Sequence, residues 1–155
     1  MLRESERWAK AASALSGVDG LSDAAYILRL LSFELLLKML VEEHAGVSAP
    51  KHHRFEALFE LLPDPVRERL LELAGERIGP SALADSPIVV LKELGENFAA
   101  LRYPWERYKG LSEQQYAALG PAWVAQGSPL GAAVFRYHPE ELYGLTHAAK
   151  TLAGC

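Results

Sequence analysis

The sequence predicts an all-α fold: a four- to five-helix up-and-down bundle in a single domain over residues 1–155, with an irregular insertion at residues 110–138 before the last helix. Three observations carry this expectation. Apolar residues return at the i, i+3, i+4, i+7 spacing of helices in one segment after another. Breakers such as Gly17 and Gly20, Pro63-Asp64-Pro65 and Gly79-Pro80 punctuate those segments. No stretch reads as a strand paired by turn chemistry, and Val89-Val90 is too short to count as one.

Leu2 to Leu15 is rich in Ala, Glu, Arg and Lys, which favours a first helix on propensity, with Trp8, Ala12 and Leu15 as its apolar stripe. Ser22 and Asp23 are N-cap candidates for a second helix that runs to about His44 and stops at Gly46. It is apolar on two sides: Leu30, Phe33, Leu37 and Val41 form one face, and Leu28, Leu35 and Met39 the other. A helix contacted on two sides is the central element of a bundle. Between its faces run Glu34, Lys38 and Glu42 at i, i+4, i+8, in the favourable Glu-before-Lys order.

Phe55, Leu58, Phe59 and Leu62 predict a short third helix after the loop Ser48–His53. A fourth runs from Val66 to about Arg77, with Asp64 able to cap it, Pro65 at its first position and Leu70, Leu73 and Ile78 facing inward. Ser86-Pro87 opens a fifth, Ile88 to about Arg102, which Pro104 ends or kinks. Residues 110–138 hold Gly110, Gly120, Gly127, Gly131, Pro121 and Pro129 and are the loosest part. They still predict a short helix from Ser112, with Gln115 as its capping-box partner. Tyr116, Trp123, Phe135 and Tyr137 are expected to pin this segment to the bundle. Pro139 begins a last helix with Leu142, Leu145, Ala149 and Leu152 inward.

A chain of 155 residues is long enough to bury a proper core. With half its residues hydrophobic and no low-complexity tract, it is expected to be ordered. Its net charge of −4 rules against a general nucleic-acid coat, so any such binding must use a local patch. The single cysteine, Cys155, allows no intrachain disulfide, which suits a reducing cytoplasm. The start, Met1 to Arg7, has no apolar h-region and does not read as a secretory signal. Arg29, Glu34 and Lys38 interrupt the apolar run Ala24–Val41, so it reads as a core helix and not a membrane span.

One stretch departs from ordinary patterning. Advancing about 100° per residue from Leu91, the side chains of Leu94, Phe98, Leu101 and Trp105 gather on one face, and Arg102 falls inside that sector. A guanidinium keeps its proton and needs an acceptor or a wet groove there. Either it binds phosphate as a functional group or it is a structural arginine paired with a carboxylate such as Glu106 or Glu34. Arg107 and Lys109 extend the positive charge, while Tyr103, Trp105 and Tyr108 interleave aromatic rings able to stack on bases or to close the end of the bundle.

Three stretches taken in order, Phe33–Leu40, Lys51–Pro63 and Phe98–Glu106, resemble the HEPN superfamily, small helical domains of prokaryotic toxins, antiviral systems and nucleotidyltransferase partners. The resemblance covers roughly residues 22–108. It implies a four- or five-helix bundle, commonly a homodimer, whose active members hold an arginine and a histidine in an R-x(4–6)-H arrangement and cleave RNA without a metal. Arg102 matches the family's arginine by its place at the end of the long helix. The histidine is missing, because positions 107, 108 and 109 are Arg, Tyr and Lys. The group able to exchange a proton near neutral pH is therefore absent from the motif.

Arg102 is accordingly the candidate catalytic residue, with Tyr103, Glu106, Arg107, Tyr108, Lys109, His52, His53 and Lys38 as candidate binding residues. Glu34 and Lys38 reach the same groove or form a half-buried salt bridge; His52 and His53 supply the missing acid-base group or are exposed loop histidines. No metal site is expected: the five histidines lack paired helical spacing with a carboxylate, and neither a Gly-rich phosphate loop nor a G-x-S-x-G elbow is present. No cofactor is expected. The function expected is an RNA- or nucleotide-associated domain of a defence or toxin–antitoxin type system with weakened or absent nuclease activity. The alternatives are an active metal-independent endoribonuclease using His52 or His53, and an interaction module for a nucleotidyltransferase, antitoxin or other protein in which Arg102 is purely structural.

Overall fold

A computed structural model describes residues 1–129, 133 and 135–154, and leaves out the side chains of Pro104 and Arg107. The expectations for Gly131, Cys155 and the Arg107 side chain lie outside the described residues. Among the described residues every regular element is a helix. The protein is all-α, and no described helix is long and apolar enough to cross a membrane.

The elements are α1 (Leu2–Leu15), α2 (Ser22–Leu40) with a π turn (Val41–Ala45), α3 (Phe55–Glu60), α4 (Asp64–Ile78), α5 (Ala82–Asp85), α6 (Pro87–Ala100), α7 (Pro104–Arg107), α8 (Glu113–Ala125) and α9 (Pro139–Leu152). Helix α2 lies at the centre, against α1, α3, α6 and α9, and α4 packs along α9. Its first face, Leu30, Phe33, Leu37 and Val41, is fully buried. Leu28, Leu35 and Met39 on the second face are half-buried, as expected for a helix covered unequally on two sides. The core joins α2, α3, α4, α6 and α9 in one cluster around Phe33, Phe55, Leu58, Leu70, Leu91, Leu94 and Leu145.

Polar side chains join α1 to α2. Ser5 and Ser32 are both buried; the Ser32 hydroxyl donates to the Ser5 carbonyl at 2.9 Å, and the two hydroxyls also lie 2.9 Å apart. Small side chains there let the two backbones approach closely. The Ser5 pairing is invisible to a reading based on Trp8 and Leu15, both of which are only half-buried.

Several expected boundaries shift for identifiable reasons. Neither Ser22 nor Asp64 caps its helix; Leu21 and Pro63 occupy those positions without a side-chain bond. Asp64 instead pairs with Arg67 one turn on. The short helix α5, capped by Ser81, was not expected from Ser81–Asp85. The box formed by Ser112 and Gln115 is present in both directions, at 3.2 and 2.8 Å. It opens a 13-residue helix with Pro121 inside.

The pinning of residues 110–138 needs correcting. Helix α8 buries no residue. Tyr116 is exposed and meets Tyr108 edge-on, 4.9 Å between centroids, while the Trp123 indole donates to the Pro129 carbonyl at 3.0 Å and closes its own loop. The attachment is made further on. Phe135 packs against the core, and the Tyr137 ring meets Tyr26 edge-on at 5.0 Å. The Tyr137 hydroxyl donates to Asp23 at 3.0 Å and the Tyr26 hydroxyl donates to the Tyr137 carbonyl. Asn97 of α6, itself buried, donates to the Arg136 carbonyl at 2.6 Å. Glu93 receives both Arg136 (2.7 Å) and His138 (2.6 Å). Residues 135–138 thus form a strap across α2 and α6 that delivers the chain to α9.

Burial in this strap raises the Tyr26 phenol well above its ordinary value, and burial together with the Asp23 carboxylate does the same for Tyr137. A phenol whose folded value is raised binds its proton longer when folded than unfolded. Stability is therefore fully present below about pH 10 and lost above it, with the better-buried Tyr26 contributing the larger share. Urea unfolding between about pH 8 and pH 11 should show this alkaline loss. The substitution Tyr26→Phe should lower stability at neutral pH and make the alkaline slope shallower. An unchanged slope would place the origin elsewhere.

Candidate functional site at the α2–α6 junction

Helix α2 places Glu34 and Lys38 one turn apart on the side that faces α3 and α6. Glu34 is only 3% exposed. Its two oxygens are separately held: Oε1 by the Lys38 ammonium at 2.7 Å, Oε2 by His53 Nδ1 at 2.8 Å. A carboxylate taken out of water needs this saturation, because an unpaired one would carry the full desolvation penalty. The Lys38 side chain is itself only 15% exposed. The Glu34–Lys38 pair expected from the spacing is therefore present, and it extends to a histidine 19 positions further along the chain.

The arrangement sets which histidine nitrogen faces the carboxylate. An ionised carboxylate only accepts, so Nδ1 of His53 is the nitrogen that donates to Glu34, and Nε2 is the one turned to other partners. The His53 side chain is 43% exposed, so the ring is held on one side and reaches solvent on the other. Its edge packs on Phe98 at 4.8 Å, and Phe98 continues through Phe55 to Phe33 in the core.

Arg102 lies over the same Phe98 ring, with its guanidinium carbon 4.8 Å from the centroid. Its Nε donates to the Phe98 carbonyl at 3.1 Å, one of the acceptors left open at the end of α6. Arg102 and His53 thus flank one aromatic ring. The expectation that Arg102 sits in the apolar sector fails, and so does the placing of Trp105 there: Arg102 is exposed and Trp105 is 61% exposed. The cause is the helix end. Helix α6 stops at Ala100, two residues before the expected Arg102, and Leu101 is the last residue on its buried stripe. Pro104 then opens α7 in a new direction. Neither expected carboxylate partner is taken up, since Glu34 is saturated by Lys38 and His53, and among the described residues no carboxylate pairs with Arg102.

The other candidates divide. Tyr103, Glu106 and Lys109 are exposed around α7, and Tyr108 is half-buried against Tyr116. His52 is turned to local use: its Nδ1 accepts from the Arg54 backbone N–H at 3.2 Å. Beside His53 lies a cleft of about 330 Å³ lined by Arg54, Glu56, Lys92 and Glu96. Its charges are largely matched, Arg54 with Glu56 at 2.9 Å and Lys92 with Glu96 at 4.0 Å. Among the described residues no group of three or more His, Cys, Asp or Glu is placed to hold a metal ion.

One residue essential to this geometry was not singled out from the sequence. Gly95 is where α6 crosses the His53–Phe55 segment. A Cβ there would stand 2.7 Å from the His53 carbonyl oxygen and 3.2 Å from the Phe55 nitrogen. The available signal was an isolated glycine inside an otherwise apolar helical pattern, which marks close backbone approach.

The geometry defines an all-α protein with a buried carboxylate orienting a half-exposed histidine, and an arginine on the same Phe98 ring that has no carboxylate partner among the described residues. Comparison of the chain with protein-family models, with curated proteins and with solved structures finds no match.

Two stability predictions follow from the buried network. Replacing Glu34 by Leu should lower the unfolding free energy in urea by about 3 kcal/mol, because Lys38 is left covered and unpaired. Adding Lys38→Met to Glu34→Leu should restore most of it, and a loss under about 1 kcal/mol for the single variant would mean that Lys38 simply swings into water. Gly95→Ala should cost about 1–3 kcal/mol by forcing α6 off the His53 backbone. The His53 ring resonances should shift in the same variant.

Proposed function

We propose that this chain is an RNA-associated domain of the HEPN kind, a homodimeric helical bundle from a defence or toxin–antitoxin type system, in which Arg102 and His53 together engage a phosphodiester. The observation that carries the reading is the shared Phe98 ring, with His53 at its edge and the Arg102 guanidinium above it. The guanidinium fork suits phosphate oxygens and has no competing carboxylate among the described residues. Exposed Tyr103 and Trp105 lie immediately after Arg102 and offer faces for unpaired bases. The resemblance of Phe33–Leu40, Lys51–Pro63 and Phe98–Glu106 to that superfamily supplies the system type and the homodimer, and points to a nucleotidyltransferase or antitoxin protein as partner. The three stretches also meet in space, through Glu34, His53 and Phe98. Nuclease activity is weak or absent in this reading, because the histidine of the R-x(4–6)-H pattern is missing.

A second reading, a metal-independent endoribonuclease, is favoured by one observation: Glu34 engages His53 through Nδ1, so that in the neutral ring Nε2 is the nitrogen able to act as a base. In that reaction Nε2 takes the proton of a ribose 2′-hydroxyl, whose oxygen bonds to phosphorus. The P–O5′ bond breaks, and the leaving oxygen is protonated by solvent. Arg102 stabilises the charge that gathers on the phosphoryl oxygens.

Anisotropy titrations with short single-stranded RNAs test the first reading. Arg102→Ala should weaken binding about three- to tenfold and lower the salt dependence by about one phosphate contact, with the melting temperature nearly unchanged. Equal or absent binding in both proteins would sink it. Incubating the wild type and His53→Gln with RNA in chelator decides the second, since cleavage must appear only in the wild type.

A further inference from the structure

A second cleft, of about 390 Å³, opens between α1, α2 and α9 and shares no residue with the His53 site. Its body is formed by Leu142 and the rings of Tyr26 and Tyr143; its polar lining joins the cations Arg29 and Lys150 with His147 and the hydroxyl residues Ser13, Ser32 and Thr146, and holds no carboxylate. In a chain of net charge −4 a carboxylate-free group of basic side chains is a local exception. None of Arg29, His147 and Lys150 is ion-paired among the described residues. The Arg29 guanidinium donates one bond to the Ser16 hydroxyl at 2.7 Å and keeps its remaining donors. Lys150 also lines a neighbouring shallow cleft with Lys10 and Glu6, which adds one charge of each sign at the rim.

Tyr143 sharpens the chemistry. Its hydroxyl accepts from Arg77, from Nε at 3.0 Å and from one terminal nitrogen, and the Arg77 guanidinium also lies 5.1 Å from its ring centroid. A phenol oxygen that accepts two guanidinium N–H groups has its own proton left to give. Tyr143, which also lines the cleft, thus carries a hydroxyl proton still available to an acceptor, next to the Arg77 guanidinium. Arg29, Lys150 and Tyr143 offer donors only, and the tyrosine rings and Leu142 offer apolar contact. The volume lies in the range of small-molecule sites.

From this lining we infer that the α1–α2–α9 cleft binds a small organic anion, an oxyanion headgroup on an aromatic or aliphatic body. The headgroup meets Arg29, Lys150 and Tyr143, and the body lies on Leu142 and the tyrosine rings. Carboxylates and phosphomonoesters share this chemistry, so both belong in the test.

Naphthoate, naphthyl phosphate and the uncharged naphthamide are titrated into the full chain and followed by amide chemical shifts. At least one anion should bind with Kd of about 0.1–1 mM, the range expected for a ligand of this size. Its shifts should be confined to α1, α2 and α9, and naphthamide should bind at least about tenfold more weakly. Whichever anion binds more tightly identifies the headgroup. Arg29→Gln and Lys150→Gln should each weaken the anion about fivefold or more without changing naphthamide, and Tyr143→Phe should do so to a smaller extent. Arg102→Ala should leave the titration unchanged, which separates this site from the RNA reading. No binding of either anion up to about 10 mM, equal binding of naphthamide, or unaltered affinity in the Arg29 and Lys150 variants would overturn the assignment.

Discussion

Glu34 is a carboxylate with almost no contact with water, placed on the central helix between two apolar faces. Such a group is tolerated only if both oxygens are bonded, and that condition reaches beyond its own helix. Lys38 satisfies one oxygen from the next turn. The other is satisfied by His53, which belongs to the loop before α3, so the loop must lie against α2. Once His53 and Phe55 occupy that place, α6 can pass only where it has no side chain, and Gly95 stands at the crossing. Phe98, one turn further along α6, then closes over His53 and carries Arg102 at its outer side. A packing requirement in the core thus ends in a half-exposed histidine and an exposed guanidinium, both against one phenylalanine.

A second set of polar contacts does the same service at α9. Glu93, also on α6, holds Arg136 and His138, while Asn97 holds the Arg136 carbonyl. His138 has a left-handed backbone (φ 47°), unusual for a residue with a side chain, and its ring is clamped by Glu93 at the very residue where α9 begins. Helix α6 therefore presents Gly95 and Phe98 toward the loop before α3, and Glu93 and Asn97 toward the strap. In the segment between these two uses, α8 buries no residue, and Trp105 and Tyr116 remain exposed.

Charge is distributed in a way that total charge conceals. The cleft beside His53 has its cations matched by Glu56 and Glu96, while Arg102, outside that lining, has no carboxylate partner among the described residues. The cleft between α1, α2 and α9 has Arg29, His147 and Lys150 without any carboxylate in its lining. On the readings proposed above, an extended phosphodiester would take the exposed Arg102 surface and a compact anion the α1–α2–α9 cleft.

Periodicity was enough to place α1, α2, α4, α6 and α9, to identify α2 as central and to find the capping box of α8, because each depends on residues within a few positions of one another. The same local logic correctly paired Glu34 with Lys38. It failed where an outcome depended on distant partners. Ideal helical geometry carried Arg102 and Trp105 onto the buried stripe, but α6 ends at Ala100 and Pro104 redirects the chain, so both are exposed. Tyr116 and Trp123 looked as suited to anchoring as Tyr137, yet only Tyr137 finds Tyr26 and Asp23 within reach. The sequence by itself determined most of the helices and the local Glu34–Lys38 pairing, since both follow from short-range spacing and side-chain type. Only the tertiary structure decided that His53 faces Glu34 and flanks Phe98 beside Arg102, because a buried carboxylate takes its second partner from wherever the packed chain supplies one.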